Sequence, residues 1–177
     1  NILWASALGG GVNKVVKRKV AFRHDVLSAG TAGNGIITAL YEDESSMVWV
    51  GARSDILLLW DKKTGKQYSY KELEVLKDIS REGNAVQAII KHRRTGSIWL
   101  GTRYDGVYVV ECDEAKPVSL MRLRDEYPSL RNINALSQDT VGRVWIATEQ
   151  GLFIGNTVNS RKFLVQPVEI LNDTINH

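Results

Sequence analysis

The chain alternates between short apolar runs and polar turns. Each run has about five to seven residues rich in Val, Ile, Leu, Tyr and Trp, such as Ile56–Trp60 and Gly106–Val110. Runs of this length between turn residues are typical of β-strands, whereas helices need longer segments with a period of 3.6. The pattern therefore predicts an all-β protein.

The tryptophans show that the pattern repeats. Four of the five recur at separations of 45, 50 and 46 residues: Trp4, Trp49, Trp99 and Trp145. Each follows an aliphatic residue and precedes small residues, of which Gly101 is an example. A second anchor, aliphatic–polar–Ala–aliphatic, precedes three of them by about a dozen residues: Ile37–Leu40, Val86–Ile89 and Ile133–Leu136. Several anchors that recur together indicate an internal repeat.

The segments between the anchors complete one repeat unit. Polar turns begin at Asp43 and Asp139, and the equivalent turn 91–96 is one residue longer and lacks the Asp. Each unit is predicted as strand A, a turn, strand B with the Trp, a loop, strand C, a hairpin and strand D. Strand D is the weakest part of the pattern, since 67–70 alternates as a strand while 71–79 has helical spacing.

Repeated four-stranded antiparallel units of this length predict β-propeller blades, with each Trp in the layer between neighbouring blades. The predicted blades are 1–35, which lacks strand A, then 36–84, 85–132 and 133–171. The abrupt start and end predict a fragment of a larger ring, or else an open array that another chain completes. A β-sandwich or β-solenoid with coincidental tryptophans is the alternative fold.

Composition excludes several classes of protein. The 177 residues are 44% hydrophobic and 24% charged, which is typical of globular domains. A net charge of +3 is too small to indicate a nucleic-acid partner, and the basic cluster at 14–19 is interleaved with apolar residues as in a solvated strand. No apolar run approaches the ~20 residues of a membrane span. The single cysteine, Cys112, cannot form an internal disulfide.

Catalytic chemistry has little support in the sequence. The predicted A strands, 36–40, 85–90 and 133–138, contain no Asp, Glu, His, Lys or Cys, and His24, His92 and His177 lack the spacing of metal ligands. No catalytic residue, metal site or cofactor is predicted for this segment.

Strand alternation instead predicts where a ligand would bind. It brings the B–C and D–A loops of all units to one end, where side chains could contact a sugar, a sulfate or a carboxylate. The predicted ligand-binding residues are Arg53, Asp55, Asn84, Arg103, Tyr104, Asp105, Asn132, Glu149 and Gln150. The competing interpretation is that Arg and Asp in such loops only cap local turns.

The full repeat, aliphatic-x-Ala-aliphatic, Asp-x-x-Gly, Trp-aliphatic-Gly-Thr, resembles the two-component-regulator propeller repeat. Three copies match, at 37–52, 86–102 and 133–148, with departures at Ser46, His92 and Ala147. The resemblance implies the periplasmic sensor region of a Bacteroides-type hybrid two-component histidine kinase, part of a seven-bladed ring that binds an oligosaccharide.

The same resemblance implies certain partners. These are further propeller and β-sandwich domains of one receptor, with homodimerisation open and no direct membrane insertion by this segment. Two other functions stay open. One is a protein-interaction scaffold without a small ligand, and the other is a fragment of a propeller lyase or hydrolase.

Overall fold

The computed structural model describes residues 36–53, 57–79, 84–114, 116–159 and 162–169, together with the backbone of 2–7 and 11–16. The strands are β1 (Ile2–Ala7), β2 (Gly11–Val16), β3 (Ile37–Glu42), β4 (Met47–Ala52), β5 (Leu57–Asp61), β6 (Gln67–Ser69), β7 (Val86–Lys91), β8 (Ile98–Thr102), β9 (Val107–Asp113), β10 (Lys116–Arg122), β11 (Ile133–Gln138), β12 (Val144–Thr148), β13 (Gly151–Asn159) and β14 (Lys162–Pro167). Short 3-10 helices span Tyr70–Glu72, Glu74–Ile79 and Leu123–Asp125.

The strands form three four-stranded antiparallel sheets, each a meander in chain order. Sheet I contains β3–β6, sheet II contains β7–β10 and sheet III contains β11–β14. A further antiparallel pair, β1–β2, sets Trp4 opposite Lys14. The all-β class and the four-stranded units are confirmed. The strand D predicted before residue 36 and the end of the last unit beyond 169 lie outside the described residues.

The first strand of every sheet carries the same irregularity. The pairing register shifts between Ile37 and Ala39, between Val86 and Ala88, and between Ile133 and Ala135. The polar residue of the aliphatic–polar–Ala–aliphatic anchor is thus the extra residue of a β-bulge. In sheet I this residue is Thr38, whose hydroxyl donates to the Val86 carbonyl oxygen of sheet II at 2.5 Å.

Tryptophan side chains lie between neighbouring sheets. Trp49 is fully buried in a cluster that joins its own sheet to Val86, Ile98 and Tyr108 of sheet II. Trp99 is fully buried between sheets II and III. Trp145, the equivalent residue of sheet III, is only half-buried. The apolar faces of successive sheets are therefore buried against one another, with an indole ring in each of these two seams.

Close backbone approach explains why small residues follow the tryptophans. A Cβ on Gly51 would lie 2.6 Å from the Val86 carbonyl oxygen, and one on Gly101 would lie 2.5 Å from Cγ2 of Ile133. Because neither glycine has a side chain, the first strand of the next sheet can pack closely against both positions. In sheet III the equivalent position is Ala147, which pairs with Ala135 as Gly101 pairs with Ala88.

The segment after β6 confirms the mixed pattern in the sequence. The strand ends at Ser69, whose side-chain oxygen accepts from the Lys71 amide, and two 3-10 helices follow. Leu76 and Ile79, at helical spacing, are both fully buried in the first core. This segment therefore covers the outer edge of the apolar layer between sheets I and II.

Candidate functional site

The sheets have two ends, and each gathers chemically useful residues. The loop end contains Arg53, residues 103–106 and 149–150, and the residues that enter each first strand. One backbone bond recurs there, from Arg53 to Ile36, from Arg103 to Ala85 and from Glu149 to Asn132, at 3.0, 3.0 and 3.3 Å. The turn end contains residues 43–46, 92–97 and 139–143. Binding sites at either end would draw on several sheets.

At the loop end, Asn84 and Asp105 form a buried polar network. The Asn84 amide donates to Oδ2 of Asp105 at 3.3 Å, and its Oδ1 accepts from the amides of Ala85 and Tyr104. Arg124 donates to Oδ1 of Asp105 at 3.0 Å. Asn84 is 1% exposed and Asp105 is 2% exposed. These two side chains hold the loops together and are covered from solvent.

Two neighbouring side chains at the same end remain accessible. Tyr104 is 42% exposed, and the guanidinium of Arg103, itself exposed, lies 5.1 Å from the centre of its ring. A ring stacked by a cation offers an apolar face beside hydrogen-bond donors. Of the residues predicted to bind ligand, this pair has the most suitable surface.

The other predicted residues are more dispersed. The Asn132 side chain donates to Oε2 of Glu149 at 2.6 Å, and this contact is exposed. Asn132 has a φ of 50°, a left-handed value that Asn tolerates better than most residues. Gln150 is exposed, and its backbone amide donates to the Thr148 hydroxyl. Arg53 is exposed as well, and Asp55 lies outside the described residues.

At the turn end, the aspartates organise their own turns. Oδ1 of Asp43 accepts from the amides of Ser45 and Met47, each at 2.9 Å. Asp139 repeats this arrangement with Val141 and Arg143. These side-chain bonds reinforce the backbone hydrogen bonds that close each turn, from Ser46 to Asp43 and from Gly142 to Asp139.

Asp139 makes further bonds that affect its ionisation. Its Oδ2 accepts from the Trp145 indole at 3.2 Å and from Nε of Arg143 at 2.7 Å. Desolvation acts to raise the pKa of Asp139, but the bonds from Arg143 and Trp145 outweigh it and lower the pKa to about 2. The residue is therefore a stable anion that joins the turn to the repeat tryptophan.

His92 takes the place of the aspartate in sheet II, and it is buried. Its Nδ1 accepts from the Thr95 amide at 3.2 Å, and its Nε2 lies 3.0 Å from the Gly142 carbonyl oxygen and 3.1 Å from the Thr157 hydroxyl. This pattern fits the neutral ring with its proton on Nε2. Burial lowers the pKa of His92. The hydrogen bond to Gly142 acts to raise this pKa, and the positive charge of Arg94 acts to lower it further.

A cavity of about 860 Å³ opens at the turn end. It spans all three sheets: Tyr41 and Glu44 come from sheet I, Ile90, Lys91 and residues 93–96 from sheet II, and residues 136–138 from sheet III. Of the lining side chains that the structure describes, three are cations and one is an anion. Its position is opposite to the loop end that the sequence favoured for ligand binding.

The charges in this cavity are partly paired. Lys91 forms an ion pair with Glu44, and the hydrogen bond between them raises the pKa of Lys91 and lowers that of Glu44. Arg94 donates to the Thr157 carbonyl oxygen at 2.6 Å. The Arg93 backbone amide donates to Oε1 of Gln138 at 3.0 Å. Within the described part of the chain, the guanidinium of Arg93 has neither a hydrogen bond nor an ion pair.

Sequence reasoning treated turn 91–96 only as a degenerate copy and so missed this cavity. The signal was present, since a turn that is longer by one residue and carries Lys91, His92, Arg93 and Arg94 departs from its two acidic counterparts. What the sequence could not provide was the position of Tyr41 and Gln138 beside it, because those contacts depend on how the sheets pack.

Other chemical groups in the described residues offer little. No cluster of three or more potential metal ligands occurs among them, and none of their helices has the length and apolarity to cross a membrane. The Cys112 thiol is half-buried, and burial raises its pKa to about 11. It is thus protonated and unreactive at neutral pH.

Comparison with known proteins relates this architecture to solved extracellular domains. No family model and no curated protein matches the chain. Among solved structures, the extracellular domain of BT3049 from B. thetaiotaomicron, described as a hybrid two-component system, is 18% identical with a TM-score of 0.58 over 93% of this chain and 21% of that one. The chain shares its fold.

Two structures of the extracellular domain of BT4673 from the same organism also match the fold of this chain. One, described as a hybrid two-component system, is 18% identical with a TM-score of 0.55, and the other, described as a one-component system, is 20% identical with a TM-score of 0.56. Each match covers 73% of this chain and 16% of the other. The predicted likeness to sensor regions is confirmed for the fold, and this chain spans 16% to 21% of the length of its extracellular neighbours.

Proposed function

We propose that this chain is part of the extracytoplasmic ligand-sensing region of a hybrid two-component receptor. The observation that carries the proposal is the fold that its three repeated sheets share with extracellular domains of such systems. The position in the receptor would be periplasmic, ahead of a membrane helix and a histidine kinase. The segment itself would bind and would not catalyse.

We further propose that the sheets are blades of a β-propeller, in a ring of seven. Three features support this arrangement. The first strands β3, β7 and β11 contact one another in sequence, each sheet packs face to face on the next, and Trp49 and Trp99 lie in the seams. A meander sheet that is apolar on both faces is covered on both when it is stacked around an axis.

The ligand would be an oligosaccharide. Support comes from the accessible Arg103–Tyr104 pair at the loop end and from the polar, roomy cavity at the turn end, both of which suit a hydroxyl-rich molecule. For signalling, the ligand must bind one arrangement of the receptor better than another, because only differential affinity shifts the equilibrium. Neighbouring propeller and sandwich domains, or a second receptor copy, would transmit that shift.

Isothermal titration calorimetry with a panel of neutral and acidic oligosaccharides tests the binding function. Saturable binding of at least one oligosaccharide, with the sugar recovered intact, is the expected result. Recovery of cleaved sugar would indicate a lyase or hydrolase instead. A complete lack of binding across the panel would contradict the sensor function and favour an interaction scaffold.

A further inference from the structure

We propose that the turn-end cavity binds an oxyanion, a carboxylate or a sulfate, carried by the ligand. This inference rests on the proposed function for the nature of the ligand and adds its charge and its binding position. It departs from the loop-end site that the sequence favoured.

The first argument is the balance of charge around the cavity. Lys91, Arg93 and Arg94 line it, and among the described residues Glu44 is the only acidic one that does. Because Glu44 is paired with Lys91, the two arginines supply an uncompensated charge of about +2. Arginine is the side chain best suited to hold a carboxylate or a sulfate, since its planar donors match two oxygens at once.

The second argument is that the turn carrying the arginines is fixed before any ligand arrives. The Arg93 amide is bound to Gln138, and the adjacent His92 ring contacts Gly142 and Thr157. All three partners belong to sheet III, so these contacts tie the turn of sheet II to sheet III. An anchored turn loses less backbone conformational entropy on binding than a mobile one.

The third argument is that the Arg93 guanidinium has no partner among the described residues, although its own backbone is anchored. Arg94 already donates to a carbonyl oxygen, and that bond orients its remaining donors. Tyr41, Ile90 and Leu136 add apolar surface to the wall, on which a sugar ring could pack. A volume of about 860 Å³ falls within the usual range for ligand sites of ≈ 300–1,000 Å³.

Calorimetric titration of the full chain with three disaccharides tests the proposal. The probes are a neutral disaccharide, a disaccharide with one uronate carboxylate, and the same uronate disaccharide with an added sulfate ester. We expect at least one of the two anionic probes to bind more tightly than the neutral one, and which one binds best distinguishes carboxylate from sulfate. The affinity of that probe should fall as salt rises.

Two matched substitutions locate the site. Arg93→Gln removes the charge at the turn end, and Arg103→Gln makes the same change at the loop end. Both side chains are exposed, so both variants should fold. Arg93→Gln should weaken binding of the anionic probe by about tenfold, as expected for a charge-assisted bond, and by more than Arg103→Gln does.

The opposite ranking, with Arg103→Gln weakening binding and Arg93→Gln leaving it unchanged, would overturn the proposal and leave the sensor function intact. Tighter binding of the neutral probe than of both anionic ones would overturn it as well. Failure of all oligosaccharides to bind contradicts the proposed function itself, so the two failures are distinguishable.

Discussion

The Nε2 atom of His92 lies 3.0 Å from the carbonyl oxygen of Gly142, fifty residues further along the chain. This contact joins the first turn of sheet II to the first turn of sheet III. The His92 ring also lies over Trp99, with centroids 6.1 Å apart and an interplanar angle of 27°. One neutral imidazole thus connects a turn, a seam and the neighbouring sheet.

The buried histidine predicts a pH-dependent stability. Because burial lowers its pKa in the folded chain, the unfolded chain takes up the proton first. The stabilising contribution is complete above the unfolded value of about 6.5 and is lost as the pH falls through it toward the folded pKa. The melting temperature should therefore decrease between pH 7.5 and pH 5, measured by circular dichroism.

His92→Gln provides the control for this prediction, since glutamine keeps a polar side chain without a titrating ring. The variant should be less stable than the wild type at pH 7.5 and should lose less stability on acidification. Parallel curves for the two proteins would show that other groups cause the pH dependence.

The repeat tryptophans Trp99 and Trp145 differ in burial, so truncating them should destabilise the fold unequally. Trp99 is fully buried and meets Phe163 edge-on, with centroids 4.9 Å apart, whereas Trp145 is half-buried. Trp99→Ala should lower the free energy of unfolding by about 3–5 kcal/mol. Trp145→Ala should cost about 1 kcal/mol. Urea denaturation of both variants measures the difference, and equal costs would argue against a buried seam at Trp99.

The close packing at Gly101 means that a single added methyl group should destabilise the fold. Gly101→Ala places a Cβ 2.5 Å from Cγ2 of Ile133, so the two sheets must separate, at a cost of about 1–3 kcal/mol. Gly155→Ala is the matched control, since its nearest neighbours would lie at 3.6 Å or beyond. It should be neutral or stabilising by up to about 1 kcal/mol. A harmless Gly101→Ala would contradict the close approach of the sheets.

The buried network at the loop end predicts that Asp105 stabilises the fold. Asp105→Ala leaves Arg124 and Asn84 without their shared carboxylate partner and should cost about 3 kcal/mol. Tyr104→Ala, at the exposed neighbouring position, should change stability by less than about 0.5 kcal/mol. Thermal and urea unfolding compare them. Loss of ligand affinity at unchanged stability in Asp105→Ala would instead favour a direct binding role.

The four-stranded units could be predicted from the sequence because their signals are local. Apolar runs, the Gly65 turn with its φ of 75° and the recurring tryptophans each reflect a constraint within one unit. The functional surface depends on relations between units. The sequences around Asn84 and Asp105 look like those of ordinary exposed loops. Only the structure shows that two loops pack around these side chains and cover them from solvent.

Ala147 has a consequence for the outer face of sheet III. Gly51 and Gly101 have no side chain where the following strand crosses them, but the methyl group of Ala147 occupies that space. Any strand laid over this face must stand further off than Val86 and Ile133 do over the two glycines. If a further sheet packs on this face, its distance from sheet III would therefore exceed the distances between sheets I and II and between sheets II and III.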